Sequence, residues 1–205
     1  MDIEVAEVVA DQHARIRDLF HEAAHAPVEH REAACSRLVR YLAVHEAAEH
    51  EALHPDRGAL LPDPGDDGVR ELGHRAERLE DLGPRCESWS VQLGLLAAAV
   101  DHHVVRGEAD EVPRFVALAA EADLDRAVRT LRRADDLVAD VGPAADVPAS
   151  GSFAGQLRAA RRAVAHAPTD GPSAPHPRGH TNGAATGRPG RRAVGPVVSR
   201  RRAGP

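Results

Sequence analysis

The chain contains no lysine, so all 26 of its basic residues are arginine. Alanine and glycine are also heavily used, a pattern that matches a GC-rich coding bias, and arginine in place of lysine therefore carries little functional meaning. Aromatic residues make up only 2% of the chain, although 42% is apolar. A core with so few rings must be built mainly from Ala, Leu and Val, which suits closely packed helices better than a β-sandwich. The two cysteines, Cys35 and Cys86, form no CxxC motif and no disulfide framework, and read as reduced thiols. No apolar run reaches the roughly 18 residues that a membrane-crossing helix needs. The start, Met1-Asp-Ile-Glu-Val, is acidic and lacks the basic region and apolar stretch of a secretory signal. These absences predict a cytoplasmic protein with no membrane partner.

Histidine is what the chain has in excess. Of 13 histidines, ten fall between positions 13 and 103. The net charge of −6 hides a split: residues 168–205 hold seven arginines and one acid, Asp170, leaving the remainder at about −12. An acidic body argues against nucleic acid as the partner of the folded domain.

Taken in order, residues 3–25 predict a first helix, with Val5, Val8, Val9, Ile16, Leu19 and Phe20 at helical spacing and His13 near the middle. Pro27 breaks it. A second helix runs from about Val28 to His54 and stops at Pro55. A loop over 56–68, rich in Gly and Pro, overlaps the start of a third helix, about Asp66 to Leu82. Gly83-Pro84 turns the chain into a fourth helix, about Pro84 to Glu111, which Pro113 ends or kinks. Weaker helical stretches follow at Arg114–Ala122, Leu124–Ala139 and Ser152–His166. The expected fold is all-α: an antiparallel up-down-up-down four-helix bundle, with extra C-terminal helices packed outside it. The expected organisation is a bundle with appended helices over 1–140, a linker and short amphipathic helix over 141–166, and a disordered Arg/Pro/Gly-rich tail over 167–205.

No sequence repeat is evident, but histidine recurs at 13, 45, 74 and 103, at intervals of 32, 29 and 29. In antiparallel helices of this length, that rhythm returns one histidine per helix to a similar depth. His45 and Glu49 are four apart, so they stack on one helix face about a turn apart. Several histidines converging in a low-dielectric interior would be costly without a shared partner, and a metal ion supplies one. Mixed imidazole and carboxylate donors without thiolate favour iron or manganese over structural zinc. Their number exceeds the need of one tetrahedral ion and suits two bridged metals.

Four segments in this order and spacing resemble the hemerythrin-like (HHE cation-binding) family. They are Val9-Ala-Asp-Gln-His13-Ala-Arg-Ile-Arg-Asp-Leu-Phe20; His45-x-x-x-Glu49, with His45 ten residues before Pro55; Glu71-Leu-Gly-His74-Arg-Ala-Glu-Arg-Leu; and His103, ten residues before Pro113. The resemblance covers about residues 3–140. It implies a four-helix bundle holding a non-haem di-iron centre that binds or senses O₂ or a similar small ligand. It makes His13, His45, Glu49, His74 and His103 the expected metal ligands, with Glu49 bridging.

The chain departs from the family at two places. Many members repeat His-x-x-x-Glu on the fourth helix, but Gly107 stands four after His103 and Glu108 five after. In an ideal α-helix that puts Glu108 about 140° away from His103. A π-like widening near Gly107 would turn Glu108 inward and make it a sixth expected ligand, and the five-residue spacing resembles that of oxygen-carrying hemerythrins. The carriers' second third-helix histidine is Arg78 here, with Glu77 as a substitute candidate. These departures keep two rival readings in view: a metal-free helical interaction or regulatory module with a degenerate ligand set, and a di-iron enzyme acting on peroxide or NO. No substrate pocket or nucleophile motif raises the second. His21, His25, His30, His50, His54 and His102 read as ordinary surface or hydrogen-bonding residues, and Tyr41 and Trp89 as packing residues, with lining of the metal pocket a second role open to Tyr41.

Overall fold

The computed structural model describes residues 2–54, 67–140, 145–149 and 151–165, and these are all-helical, with no strand. Seven α-helices follow one another: α1 (Asp2–His25), α2 (Val28–Leu53), α3 (Asp67–Leu82), α4 (Trp89–Arg106), α5 (Val112–Leu118), α6 (Glu121–Ala139) and α7 (Phe153–Ala165). A π-helical segment, Gly107–Glu111, joins α4 to α5. Of the expected loop over 56–68, residues 56–66 lie outside the described residues, as does the tail from 167 onward, while Asp67 and Gly68 already belong to α3. None of the described helices is long and apolar enough to cross a membrane.

The central element is α2. Every residue from Leu38 to Glu49 is buried. A helix buried all round must satisfy each polar group it carries, and this stretch carries Arg40, His45, Glu46 and Glu49. Arg40 is held structurally, through its two terminal nitrogens. Its guanidinium donates to the carbonyls of Leu137, Val138 and Asp140 at the end of α6, and to that of Val147 beyond. A cation at a helix C-terminus also meets the negative end of the helix dipole. The other three charged or polar groups face α1 and α4.

Neighbouring helices bury single stripes. On α1 the stripe is Val5, Val9, Ile16, Leu19 and Ala23; on α4 it is Trp89, Leu93, Leu96, Val100 and Val104. The α4 stripe steps by three or four residues, and so does that of α1 except between Val9 and Ile16, where the buried residues are the polar Gln12 and His13. One large apolar cluster joins α1, α2, α3 and α4, with Phe153 of α7 inserted into it. A second joins Val5 and Val9, Ala52 and Leu53, Val112 and Phe115, and the α6 residues Leu124 to Leu131. Between the two lies a polar layer. His13 falls between Val9 and Ile16, residues 45–49 between Ala43 and Ala52, and residues 103–108 around Val104 and short of Val112.

Two sequence expectations change here. The C-terminal helices are not an outer decoration: α6 and α7 both pack on α2, and Ala134, Leu137, Ala160 and Val164 share an apolar cluster with Val44, Ala47 and Ala48. The fourth helix begins at Trp89 rather than near Pro84, because the chain first makes two tight turns, Cys86 N–H to Gly83 O and Trp89 N–H to Cys86 O. Gly83 has φ of +67°, a left-handed conformation that suits glycine just past the end of α3. Pro113 does not stop the helical path. Proline has no N–H to donate and is tolerated in a first helical turn, so it sits at the start of α5 directly after the widened π segment.

Candidate metal centre

The polar layer contains two groups of donor atoms, each tight enough to hold a metal ion. One is His13, His45 and Glu49; the other is Glu46, Glu49 and His103. Within each group the donor atoms lie within 4.8 Å of one another, and Glu49 belongs to both. His13 comes from α1, His45, Glu46 and Glu49 from α2, and His103 from α4. The first group is fully buried, whereas the His103 side chain is 22% exposed.

Helix geometry explains the α2 contribution. Residues 45, 46 and 49 fall within an arc of about 100°, so one helix face presents an imidazole and two carboxylates together. The Nε2 of His45 lies 3.4 Å from Glu49 Oε2. The Nε2 of His103 lies 3.4 Å from the same oxygen and 3.4 Å from Glu46 Oε1. The rings of His13 and His45 meet edge to face with centroids 5.0 Å apart.

Each buried histidine has one nitrogen engaged and the other idle. His13 Nδ1 is 2.7 Å from Glu108 Oε1, and His45 Nδ1 is 3.0 Å from Gln12 Oε1. The Nε2 atoms of both rings are buried with no hydrogen-bond partner among the described residues. Buried polar atoms are rarely left so, and here they belong to the two imidazoles of one donor group. An N₂O set beside an NO₂ set, sharing one carboxylate and lacking thiolate, suits a hard to borderline metal.

The electrostatics point the same way. Burial pushes the Glu46 carboxyl up, against the pull of His103 and His45. Burial acts likewise on Glu49, but the hydrogen bond with His103 and the nearness of both imidazoles outweigh it, and hold this carboxyl well below the ordinary range. Glu46 in turn holds His103 up, to about 9, against desolvation and with help from Glu49. His13 is pushed down, first by burial and then by His45. The ion-pair partners that the described residues give Glu46 and Glu49 are histidines rather than arginines. Two buried acids in contact with rings that can give up their protons form a place where a cation is favoured.

Small residues leave the carboxylate room. A Cβ on Gly107 would sit 3.5 Å from Glu49 Oε1, and one on Gly68 would sit 3.7 Å from His103 Nδ1. The π segment begins at Gly107 and turns Glu108 toward α1. Of the six expected ligands, His13, His45, Glu49 and His103 therefore come together. Glu108 reaches the site at its edge, on the Nδ1 of His13, with its side chain 43% exposed.

His74 is not brought to the centre. Its side chain is 66% exposed and its nearest acid is Glu77, at 3.9 Å. The reason is the face that α3 buries. Leu72, Ala76 and Leu79 form its inner stripe. His74 is two residues from both Leu72 and Ala76, about 200° round the helix and hence on the outer side.

Sequence reasoning missed Glu46 and Gln12. Glu46 carried a usable signal, since it lies next to His45 and three residues before Glu49 on a helix otherwise rich in alanine. Gln12 carried one too: it is three after Val9 and four before Ile16, an amide standing in an apolar register.

The chain matches no family model, and no match is found among curated proteins or solved structures.

Proposed function

We propose that this chain is a hemerythrin-like protein in which α1 to α4 form an antiparallel four-helix bundle around a non-haem di-iron centre that binds or senses O₂ or a similar small ligand. The observation that carries the reading is the sharing of Glu49 by two metal-sized donor groups in one buried layer. His13 and His45 would hold one iron and Glu46 and His103 the other, with Glu49 between them. Iron is preferred over zinc because the donors mix imidazole and carboxylate with no cysteine. Bound there, a pair of irons supplies the electrons that O₂ binding requires.

The rest of the work falls to the chain. The buried carboxylates and imidazoles hold the metals in place, and the apolar clusters on either side of the layer limit water. His103 is the more exposed side chain of the set, so the small ligand approaches from that edge. Glu108 acts on His13 from outside the donor set, keeping its proton on Nδ1 and leaving Nε2 free. His74 takes no part.

Anaerobic reconstitution with iron(II), followed by metal analysis and visible spectra before and after air, tests the reading. Close to two irons per chain and an air-dependent charge-transfer band are expected; fewer than one metal per chain after reconstitution would reject it.

One observation favours a second reading, a metal-free helical interaction module. A protonated His103 between Glu46 and Glu49 already balances part of the buried charge. His45→Ala separates the two. A metalloprotein loses its iron and its absorption, whereas a metal-free module has neither to lose and keeps its fold.

A further inference from the structure

We propose that Gln12 is a positioning residue for His45, which it locks in the tautomer that leaves Nε2 as an electron-pair donor. For a neutral ring the tautomer follows from the amide alone. Its value for metal binding rests on the di-iron reading above.

Gln12 is only 2% exposed, in the middle of α1. Its side chain makes two bonds. The amide Nε2 donates to the backbone carbonyl of Leu131 on α6 at 2.7 Å, and Oε1 lies 3.0 Å from His45 Nδ1. The two ends of an amide look alike, but these partners do not. A backbone carbonyl can only accept, so the NH₂ end must face Leu131. The carbonyl end is then left for His45, and a carbonyl oxygen also only accepts. His45 Nδ1 must therefore be the donor and carry the proton. In a neutral imidazole the other nitrogen is then unprotonated. That nitrogen, Nε2, is the buried atom with no hydrogen-bond partner, 3.4 Å from Glu49 Oε2.

The order of constraint runs from α6 backbone to Gln12 to His45. It differs from the arrangement at His13, where the Nδ1 partner is the half-exposed carboxylate of Glu108. A carboxylate partner makes an imidazole more basic and more electron-rich, whereas an amide fixes the ring without adding charge. The two histidines of one donor group are thus held by partners of different charge.

The test uses the full-length, metal-free protein and reads the ¹⁵N shifts of the His45 ring. A protonated Nδ1 and an unprotonated Nε2 are expected. Gln12→Leu should return His45 to the tautomer mixture of a free histidine. It should also weaken iron(II) binding, measured by competition with a chelator, by about 10–100-fold, with helical circular dichroism unchanged. If Gln12→Leu does not fold, Gln12→Glu keeps the volume and an acceptor at Nδ1. It should retain the tautomer and shift the charge-transfer band of the iron-loaded protein. A His45 protonated at Nε2 in the wild type overturns the proposal, as does a folded Gln12→Leu with unchanged tautomer and iron affinity, or loss of the tautomer in Gln12→Glu. If the wild type shows the expected tautomer yet binds no iron, Gln12 keeps its assignment and the di-iron reading fails.

Discussion

Oxygen Oε2 of Glu49 lies 3.4 Å from Nε2 of His103, although the two residues belong to different helices and stand 54 positions apart. The same oxygen lies 3.4 Å from His45 Nε2. One carboxylate thus touches both donor groups, and if each holds a metal the two should not respond alike to substitution. Glu49→Gln should abolish binding at both positions. His103→Ala should spare the fully buried position and leave about one metal per chain. Metal analysis after reconstitution of the two variants, side by side, decides this; equal stoichiometry in both would remove the shared role of Glu49.

His74 offers a contrast between spacing and placement. His74→Ala should leave metal content and absorption at the wild-type level and change stability by no more than about 0.5 kcal/mol, as expected for an exposed site. Loss of iron in this variant would show that α3 turns its other face inward when metal binds.

The pH dependence of the metal-free protein should show His103 at work. Its ordinary value is 6.5, and Glu46 foremost raises it to about 9 in the folded chain. A raised folded value means stability fully present below about 6.5 and lost as pH climbs through about 9. Glu49 has the opposite sign, since its folded value is depressed below the ordinary 4.5. Its contribution is present above 4.5 and lost as pH falls through the lower folded value. Urea midpoints measured from pH 6 to 10 should therefore decline on the alkaline side, and His103→Gln should flatten that decline. Metal binding near neutral pH should release a proton from the same ring.

Gly107 sets the space beside Glu49. At 3.5 Å from Glu49 Oε1, a Cβ makes an ordinary contact, so Gly107→Ala should keep the metal. A longer side chain has to displace the carboxylate. Gly107→Leu is expected to cost about 1–3 kcal/mol by overpacking and to lower metal content. Thermal melts together with metal analysis separate the two effects.

Arg40 is the buried charge with a purely structural role. Removing it leaves several carbonyls at the end of α6 without their donor, and each such loss costs about 1–3 kcal/mol. Arg40→Met should lower the urea midpoint by an amount equivalent to at least about 2 kcal/mol. Arg40→Lys should not restore it, because an ammonium lacks the planar fork that reaches several acceptors at once.

The sequence by itself determined the helices and most of their limits, because apolar spacing and proline placement act locally. It also determined that His45 and Glu49 share a face, since residues four apart on one helix have no other choice. Spacing within a helix says nothing of how that helix is rotated against its neighbours. That rotation follows from the whole buried stripe, and on α3 Leu72, Ala76 and Leu79 outweigh one histidine and turn His74 to the surface. The tertiary structure likewise decided the roles of Glu46 and Gln12. Each is defined by a partner on another helix: His103 on α4 for Glu46, and Leu131 on α6 for Gln12. Only three-dimensional packing made α2 central, by laying α6 and α7 on it, and so obliged its buried acids to find cationic partners.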